Sequence, residues 1–133
     1  MRVAIVGSRQ TSPEMLEQLL RAIPPECSEI VSGGAQGADQ LAREAAKRLF
    51  VPLTEFLPEY DKFGRAAPVR RNQEIAEYCD LLIAVWDGES AGTRDVLIRA
   101  LRLRRPVKVL MDGQQDTAPP APLEQTGQNE KGR

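Results

Sequence analysis

Apolar residues follow two alternating patterns along the first 113 residues of the chain. Apolar runs of strand length occupy residues 2–8, 29–33, 51–58, 80–86 and 107–111. Longer segments at residues 13–23, 37–49, 69–79 and 93–104 repeat apolar residues every three or four positions, as one face of a helix does. Strands that alternate with helices are typical of βαβ units. We therefore expect an α/β fold, a Rossmann-like three-layer sandwich whose five-stranded parallel sheet has the order 3-2-1-4-5.

Local signals mark the ends of several predicted elements. Ser12 followed by Pro13 is typical of a capped helix start, and the prolines at 24 and 25 end that helix. Residues 60–68 (YDKFGRAAP) lack a periodic pattern and are interpreted as a loop. The run 80–86 (DLLIAVW) is apolar on both faces, which predicts a buried strand.

Length and composition indicate one domain. With 133 residues, of which 41% are hydrophobic, the chain can form a single core. We assign residues 1–113 to this domain. Residues 114–133 are polar and rich in Pro, Gly and Gln, so they are expected to form a disordered tail. With no long apolar segment and no leader pattern, we expect a cytoplasmic protein with no membrane partner.

Several classes of chemistry are disfavoured by residue content. The chain has no histidine, which removes the commonest general base and the usual zinc ligands. Cys27 and Cys79 are far apart in sequence and are interpreted as core thiols, so no metal site is expected. A formal net charge of -1 argues against wrapping of duplex DNA.

Three glycine-containing loops follow predicted strands, at residues 7–9, 33–37 and 87–93. In a parallel sheet such loops meet at the carboxyl edge, where ligands of these folds bind. Glycine lets the backbone approach an anion, and a helix amino terminus favours negative charge. The loops therefore predict a site for a nucleotide-sized phosphate ligand. Because the chain lacks G-x-G-x-x-G after the first strand and a Gly-Lys-Ser/Thr loop, an ordinary NAD dehydrogenase and a P-loop NTPase are excluded.

Each of the charged residues near these loops allows more than one interpretation. Arg70 and Arg71 stand in the predicted first turn of a helix, where cations oppose the helix dipole; they either bind an anion or pair with Glu74. Asp39 is a first-turn acid, a ribose acceptor or a metal ligand. Asp87 and Glu89 are solvated, act as general acid and base, or hold Mg²⁺ together with a nucleotide ligand.

Aromatic and basic residues add two further candidates. Trp86, Tyr60 and Phe63 lie near the carboxyl edge and would either stack on a base or pack against the sheet. Four arginines crowd the end of the last helix, where they complement its dipole and are interpreted as solvated: Arg99, Arg102, Arg104 and Arg105.

Four motifs in order, VGSR (6–9), SGGAQGAD (32–39), GRAAPVRRN (64–72) and DLLIAVWDGESAGT (80–93), together resemble the SLOG superfamily, and more narrowly its small YspA (cpYpsA-related) type. The resemblance implies a nucleotide-derived ligand held by the three loops, and relatives that pair as dimers imply a homodimer. The ligand-binding positions that it implies, with Trp86 added as the edge aromatic, are Gly7, Ser8, Arg9, Gly33, Gly34, Gly37, Asp39, Arg71, Asn72, Trp86, Asp87, Ser90, Gly92 and Thr93.

Two more distant relatives suggest alternative functions. LOG-type phosphoribohydrolases resemble the chain at Gly92 and Thr93, but their catalytic glutamate falls on Val96, and Asp95 is turned about 100° away on a helix. A nucleotide hydrolase is therefore one alternative, with Asp39, Asp87 and Glu89 as candidate acids and bases. DNA-processing protein A shares the GSR, SG-x-A-x-G-x-D and RN elements, which makes binding of single-stranded DNA the other alternative.

Overall fold

The computed structural model describes residues 1–34 and 36–112. Five strands form one sheet: β1 (Arg2–Gly7), β2 (Glu29–Ser32), β3 (Leu53–Glu55), β4 (Leu81–Trp86) and β5 (Val107–Met111). The α-helices are α1 (Met15–Ala22), α2 (Ala38–Leu49), α3 (Tyr60–Phe63), α4 (Ala67–Tyr78) and α5 (Ala91–Arg102), and a 3₁₀ turn spans Gly64–Ala66.

The sheet is parallel throughout and has the order β3-β2-β1-β4-β5. β1 lies at its centre, with Val3 opposite Ile30 on one side and opposite Leu81 on the other. The chain reverses its direction of winding at β1, so the loops after β1 and β4 flank the crevice where such folds bind ligands. The predicted fold class and strand order are confirmed.

Two apolar clusters, one on each face of the sheet, form the core. One cluster joins alternate β1 residues such as Val3 and Ile5 to α1 and α2, and the other joins Ala4 and Val6 to α4 and α5. Because successive side chains of a strand point to opposite faces, a strand covered on both sides must be apolar at every position. This explains the continuous apolar runs of β1 and β4.

Two local predictions are wrong. Residues 60–68, predicted as a loop, contain α3, the 3₁₀ turn and the start of α4. Ser12 does not cap the first helix, because α1 begins at Met15 and its capping position, Glu14, makes no side-chain cap bond. Instead the Ser12 amide donates to Asp112 Oδ2 at 2.9 Å, which ties the loop after β1 to the end of β5.

Some predictions fall outside the described residues. The tail predicted at residues 114–133 is one of them, so its disorder stays a prediction. In the part of the chain that the structure describes, no helix is long and apolar enough to cross a membrane.

Candidate functional site

A cavity of about 560 Å³ opens at the carboxyl edge of the sheet. It lies between the ends of β1 and β2 and the beginnings of α4 and α5, where the three glycine-containing loops were expected to meet. Most of the predicted ligand-binding residues line it, namely Gly7, Arg9, Gly33, Gly34, Arg71, Asn72, Ser90, Gly92 and Thr93. The sequence therefore located the cavity and most of its polar wall.

Arg71 reaches the cavity from the second turn of α4. Its Nη1 donates a hydrogen bond to the carbonyl of Gly33, and its Nε donates to Asn72 Oδ1 at 3.0 Å. Partial burial lowers the pKa of the guanidinium from its usual value. Among the described residues, no carboxylate forms an ion pair with Arg71, and its Nη2 makes no hydrogen bond. The cavity thus contains a half-buried positive charge without a carboxylate partner.

Gly33 leaves room for this arrangement. A Cβ atom at Gly33 would lie 2.9 Å from Arg71 Nη1, closer than side-chain atoms normally approach. The absence of a side chain therefore lets the guanidinium reach across to the end of β2.

Asn72 connects Arg71 to α5. Its Nδ2 donates to Asp95 Oδ2 at 2.9 Å, and Arg99 Nε donates to the same oxygen at 2.9 Å. Arg99 Nη1 also donates to Gln73 Oε1 at 3.0 Å. Partial burial opposes ionisation of Asp95, but the hydrogen bonds from Arg99 and Asn72 outweigh it and hold its pKa below the usual value. This network fixes the Asn72 amide, which in turn orients the Arg71 side chain.

The loop after β1 contributes one side chain to the cavity. Arg9 is exposed and lines the wall. Ser8 is buried; its amide donates to the Val85 carbonyl at 3.2 Å, and its Oγ accepts from the Asp87 amide at 3.4 Å. Ser8 therefore joins two loops and does not line the cavity.

Gly37, in the loop after β2, has a structural reason to be glycine. It has a φ of 79°, and a Cβ there would lie 2.3 Å from the Arg9 carbonyl oxygen. The close approach serves packing of the first loop against the second. Gly37 does not line the cavity.

Asp39 is buried at the start of α2 and uses its oxygens inside the protein. Oδ1 accepts from Ser32 Oγ at 2.7 Å, and Oδ2 forms an ion pair with Arg43 Nε at 3.0 Å. A hydrogen bond with Asp39, together with some burial, raises the pKa of Glu55. Asp39 does not line the cavity, so its described contacts are those of a structural acid.

The loop after β4 is organised by Asp87. Its Oδ1 accepts from the amides of Glu89 and Ser90, at 2.9 and 2.8 Å, and these bonds lower its pKa. Glu89 is exposed, and Trp86 Nε1 donates to the Ser90 carbonyl at 3.1 Å. Asp87, Glu89 and Trp86 do not line the cavity. The side chains of Asp87 and Trp86 form hydrogen bonds within the turn that precedes α5, and the side chain of Glu89 is exposed to solvent.

Ser90 caps α5 and borders the cavity. Its Oγ accepts from the Thr93 amide at 3.5 Å and from Thr93 Oγ1 at 3.2 Å. In the described residues, the amides of Ala91 and Gly92 donate to no acceptor, as is usual in the first turn of a helix. Both amides therefore remain open to an anion.

Several cavity residues were missed by the sequence reasoning. The floor includes buried apolar residues such as Val6, Ile75 and Val96, and the rim includes Gln36, Pro58 and Pro68. These residues carry no chemical signal of their own, so only the fold could place them. Tyr60, expected near the edge, lines the rim and is largely exposed.

Arg70 and Phe63 do not line the cavity, unlike Arg71 and Tyr60. α4 begins at Ala67, so Arg70 is the last residue of its first turn and Arg71 begins the second turn. Arg70 stacks on the Phe63 ring, with 4.3 Å between its guanidinium carbon and the ring centroid, and it forms no ion pair with Glu74. Of the two arginines expected in the first turn, only Arg70 lies there, and its compensating pair with Glu74 is absent. No three potential metal ligands come together within residues 1–34 and 36–112.

Comparison with known proteins gives a family match over part of the chain and a solved structure of similar fold. Residues 1–52, from β1 through α2, match the family model of DNA recombination-mediator protein A. The fold is similar to that of DNA processing protein A from Streptococcus pneumoniae, with a TM-score of 0.66 and 23% identity over 81% of this chain. That match covers 49% of the pneumococcal chain, about half its length. No curated protein is significantly similar to the chain. The chain resembles DNA processing protein A in its first 52 residues and in its α/β fold, whereas the resemblance to the YspA type stays a prediction.

Proposed function

We propose that the chain binds single-stranded DNA at the carboxyl edge of its sheet, with a backbone phosphate on Arg71. The observation that carries this proposal is the half-buried guanidinium of Arg71, which has no carboxylate partner among the described residues. Burying an unpaired charge is costly, and a phosphate would offset that cost. A guanidinium also matches the geometry of phosphate oxygens with two parallel hydrogen bonds.

The shape of the site favours an unpaired strand. The cavity combines the cations Arg9 and Arg71 with an apolar floor, and Tyr60 stands on its rim. An unstacked base can enter a concave site and stack on an aromatic ring, whereas the bases of a duplex stay stacked inside it. The net charge of -1 gives no general attraction for duplex DNA.

A basic segment extends from the rim of the cavity. Lys62, Arg65 and Arg70 are exposed on α3, the 3₁₀ turn and the start of α4. Phosphates on either side of the one bound in the cavity could contact these cations in turn. The likeness of residues 1–52 to a DNA recombination-mediator family supports DNA as the nucleic acid.

The second candidate function is binding of a free nucleotide derivative. The observation that favours it is the cavity volume of about 560 Å³, which lies within the usual range of small-molecule sites, roughly 300–1,000 Å³. The open amides of Ala91 and Gly92 would suit the phosphate of such a ligand. For such a ligand, binding is favoured over hydrolysis. The oxygens of Asp39 are engaged by Ser32 and Arg43. The lowered pKa of Asp87 makes this residue a poor proton donor.

A titration of a fluorescently labelled single-stranded oligonucleotide, followed by anisotropy, tests the proposal. We expect Arg71→Ala to weaken binding by about 1.5–3 kcal/mol, the usual size of a charge-assisted hydrogen bond. Arg48→Ala is the matched control, because this exposed arginine lies at the far end of α2, away from the cavity. Equal affinities of the two variants would contradict the proposal, and tight binding of a mononucleotide without binding of the oligonucleotide would favour the second candidate.

A further inference from the structure

A second surface, at the β5 edge of the sheet, exposes apolar side chains that the cavity does not use. We call it the β5 face and define it by Ile98 and Leu101 on α5 and Val109 and Met111 on β5. Leu101 is 60% exposed, and the other three are between 36% and 43% exposed. Isolated exposed apolar residues are common, but a group of them on neighbouring elements is typical of an interaction site.

Packing places Leu101, Val109 and Met111 on one side of the molecule, and Ile98 lies one helical turn before Leu101. Val107 packs against the cluster formed with α4 and α5, whereas Leu110 packs against the opposite cluster. Since strand side chains alternate, Val109 and Met111 face the α5 side of the sheet. Leu101 lies on the flank of α5 away from α4, because Asp95 and Arg99, which bond to α4, mark the other flank.

The same edge offers unpaired backbone groups. The Pro106 carbonyl accepts from the Leu82 amide at 3.0 Å, and the Asp112 amide donates to the Trp86 carbonyl at 2.8 Å. Alternate residues of a strand direct their backbone groups to opposite sides, so those of Val107, Val109 and Met111 point away from β4. Within residues 1–34 and 36–112, no further strand pairs with β5.

Charge around the β5 face is positive. Arg94 and Arg104 are exposed, and neither of them takes part in an ion pair in the described part of the chain. The nearest acid on α5, Asp95, is already paired with Arg99 at 2.9 Å. A second copy of this chain would bring the same arginines to a two-fold interface, where like charges repel.

We propose that the β5 face binds an extended, acidic segment of a partner protein as an additional strand beside β5. Backbone hydrogen bonds to the free edge would supply affinity, as in other cases of strand addition. Apolar residues at every second position would pack on Leu101, Val109 and Met111, and acidic residues would meet Arg94 and Arg104. The proposal is independent of DNA binding in the cavity.

The test uses the full chain and a labelled peptide of about eight residues, the length of an ordinary strand, in which leucine or valine alternates with glutamate. We expect anisotropy to show saturable binding, and Leu101→Gln to weaken it by about tenfold, the effect of losing a buried apolar anchor. The matched control is Phe50→Gln, since Phe50 is 94% exposed near the opposite, β3 edge of the sheet. Both substitutions are at exposed positions, and thermal melts verify that both variants fold.

Three results would overturn the proposal. Equal binding of a peptide with lysine in place of glutamate would remove the role of the arginines. If sedimentation experiments show a dimer of the chain, and Leu101→Gln abolishes that dimer, the β5 face would bind a second copy of the chain. If the chain binds an oligonucleotide, and Arg94→Ala abolishes this binding while Leu101→Gln and Arg71→Ala keep it, the β5 face would be a nucleic-acid site.

Discussion

Asp39 was a candidate ligand-binding and catalytic residue, but its contacts in the structure are those of a structural acid. It follows the glycine-rich loop, where an acid could accept a ribose hydroxyl, yet its oxygens are engaged by Ser32 and Arg43. The four-residue spacing to Arg43 was visible in the sequence and indicates a helical ion pair. The bond from Ser32 could not be foreseen, because it depends on how the end of β2 meets the start of α2.

Substitution of Asp39 separates the two roles. We expect Asp39→Ala to lower the free energy of unfolding by about 1–3 kcal/mol, because the buried Ser32 hydroxyl loses its acceptor. The pKa of Glu55 should fall toward its ordinary value of 4.5, since its hydrogen bond with Asp39 is the main reason that it is raised. Urea unfolding and NMR titration measure these changes. Unchanged stability together with lost oligonucleotide binding would instead place Asp39 in the ligand site.

We expect alanine substitutions of two glycines at the carboxyl edge to have opposite effects on stability. Gly37→Ala should destabilise the fold by at least about 1–2 kcal/mol, because its φ of 79° suits glycine and a Cβ would overlap the Arg9 carbonyl. Gly92→Ala should leave stability unchanged or raise it by about 0.5–1 kcal/mol, since no atom lies within 4 Å of its Cβ position. Urea unfolding compares the two, and equal losses would show that the glycines serve the same purpose.

Among the elements, predictability follows how strongly an apolar pattern repeats. β1 and β4 were visible because burial on both faces leaves uninterrupted apolar runs. α3 was not, since four residues complete only about one helical turn and show no repeat. The start of α4 was also missed, because Ala67 and Pro68 precede its first periodic apolar residue.

The site was predictable in its loops but not in its contacts. Glycines after three strands located the cavity, because the carboxyl ends of parallel strands meet at one edge. The contact between Arg71 and Gly33 joins residues far apart in sequence, and no spacing rule predicts it. The loop after β4 consists of a turn held by Asp87 and a helix start capped by Ser90. Only the hydrogen bonds in the structure show this division.

The link between α4 and α5 should depend on pH through Asp95. Its pKa is lowered in the folded chain, so ionised Asp95 stabilises the fold above its unfolded pKa, near 3.8, and this contribution is lost as the pH falls through the folded value. We therefore expect Asp95→Asn to be less stable than the parent chain at neutral pH and to approach it in acid. Urea unfolding across that pH range measures the difference, and a constant difference would contradict the assignment.

The same substitution reports on how Arg71 is positioned. Asp95→Asn removes the negative charge that holds the Asn72 amide, and the oxygen of that amide accepts from Arg71 Nε. Oligonucleotide affinity should then fall in Asp95→Asn. Arg71→Lys keeps the positive charge but loses the two parallel hydrogen bonds, so its oligonucleotide affinity should be little better than that of Arg71→Ala. If Arg71→Lys binds as well as the parent chain, positive charge alone would explain the site.

For the molecule as a whole, charge distribution decides how salt affects binding. The net charge is -1, so attraction for a nucleic acid must come from local cations at the carboxyl edge. Each phosphate contact to a single strand lowers the logarithm of the binding constant by about 0.7 per unit of log salt concentration. Contacts by Arg9 and Arg71 alone therefore predict a slope of about -1.4, and contacts by Lys62, Arg65 and Arg70 would make it steeper.

Thermal unfolding over a salt series then distinguishes the two candidate ligands. An oligonucleotide at about one hundred times its dissociation constant should add about 2.7 kcal/mol of stability at low salt. This gain should shrink steeply as salt rises, because released counterions no longer favour the complex. A mononucleotide enclosed in the cavity makes fewer phosphate contacts, so its stabilisation should depend less on salt. In Arg71→Ala the oligonucleotide slope should become shallower by about 0.7, and an unchanged slope would mean that the strand lies elsewhere on the protein.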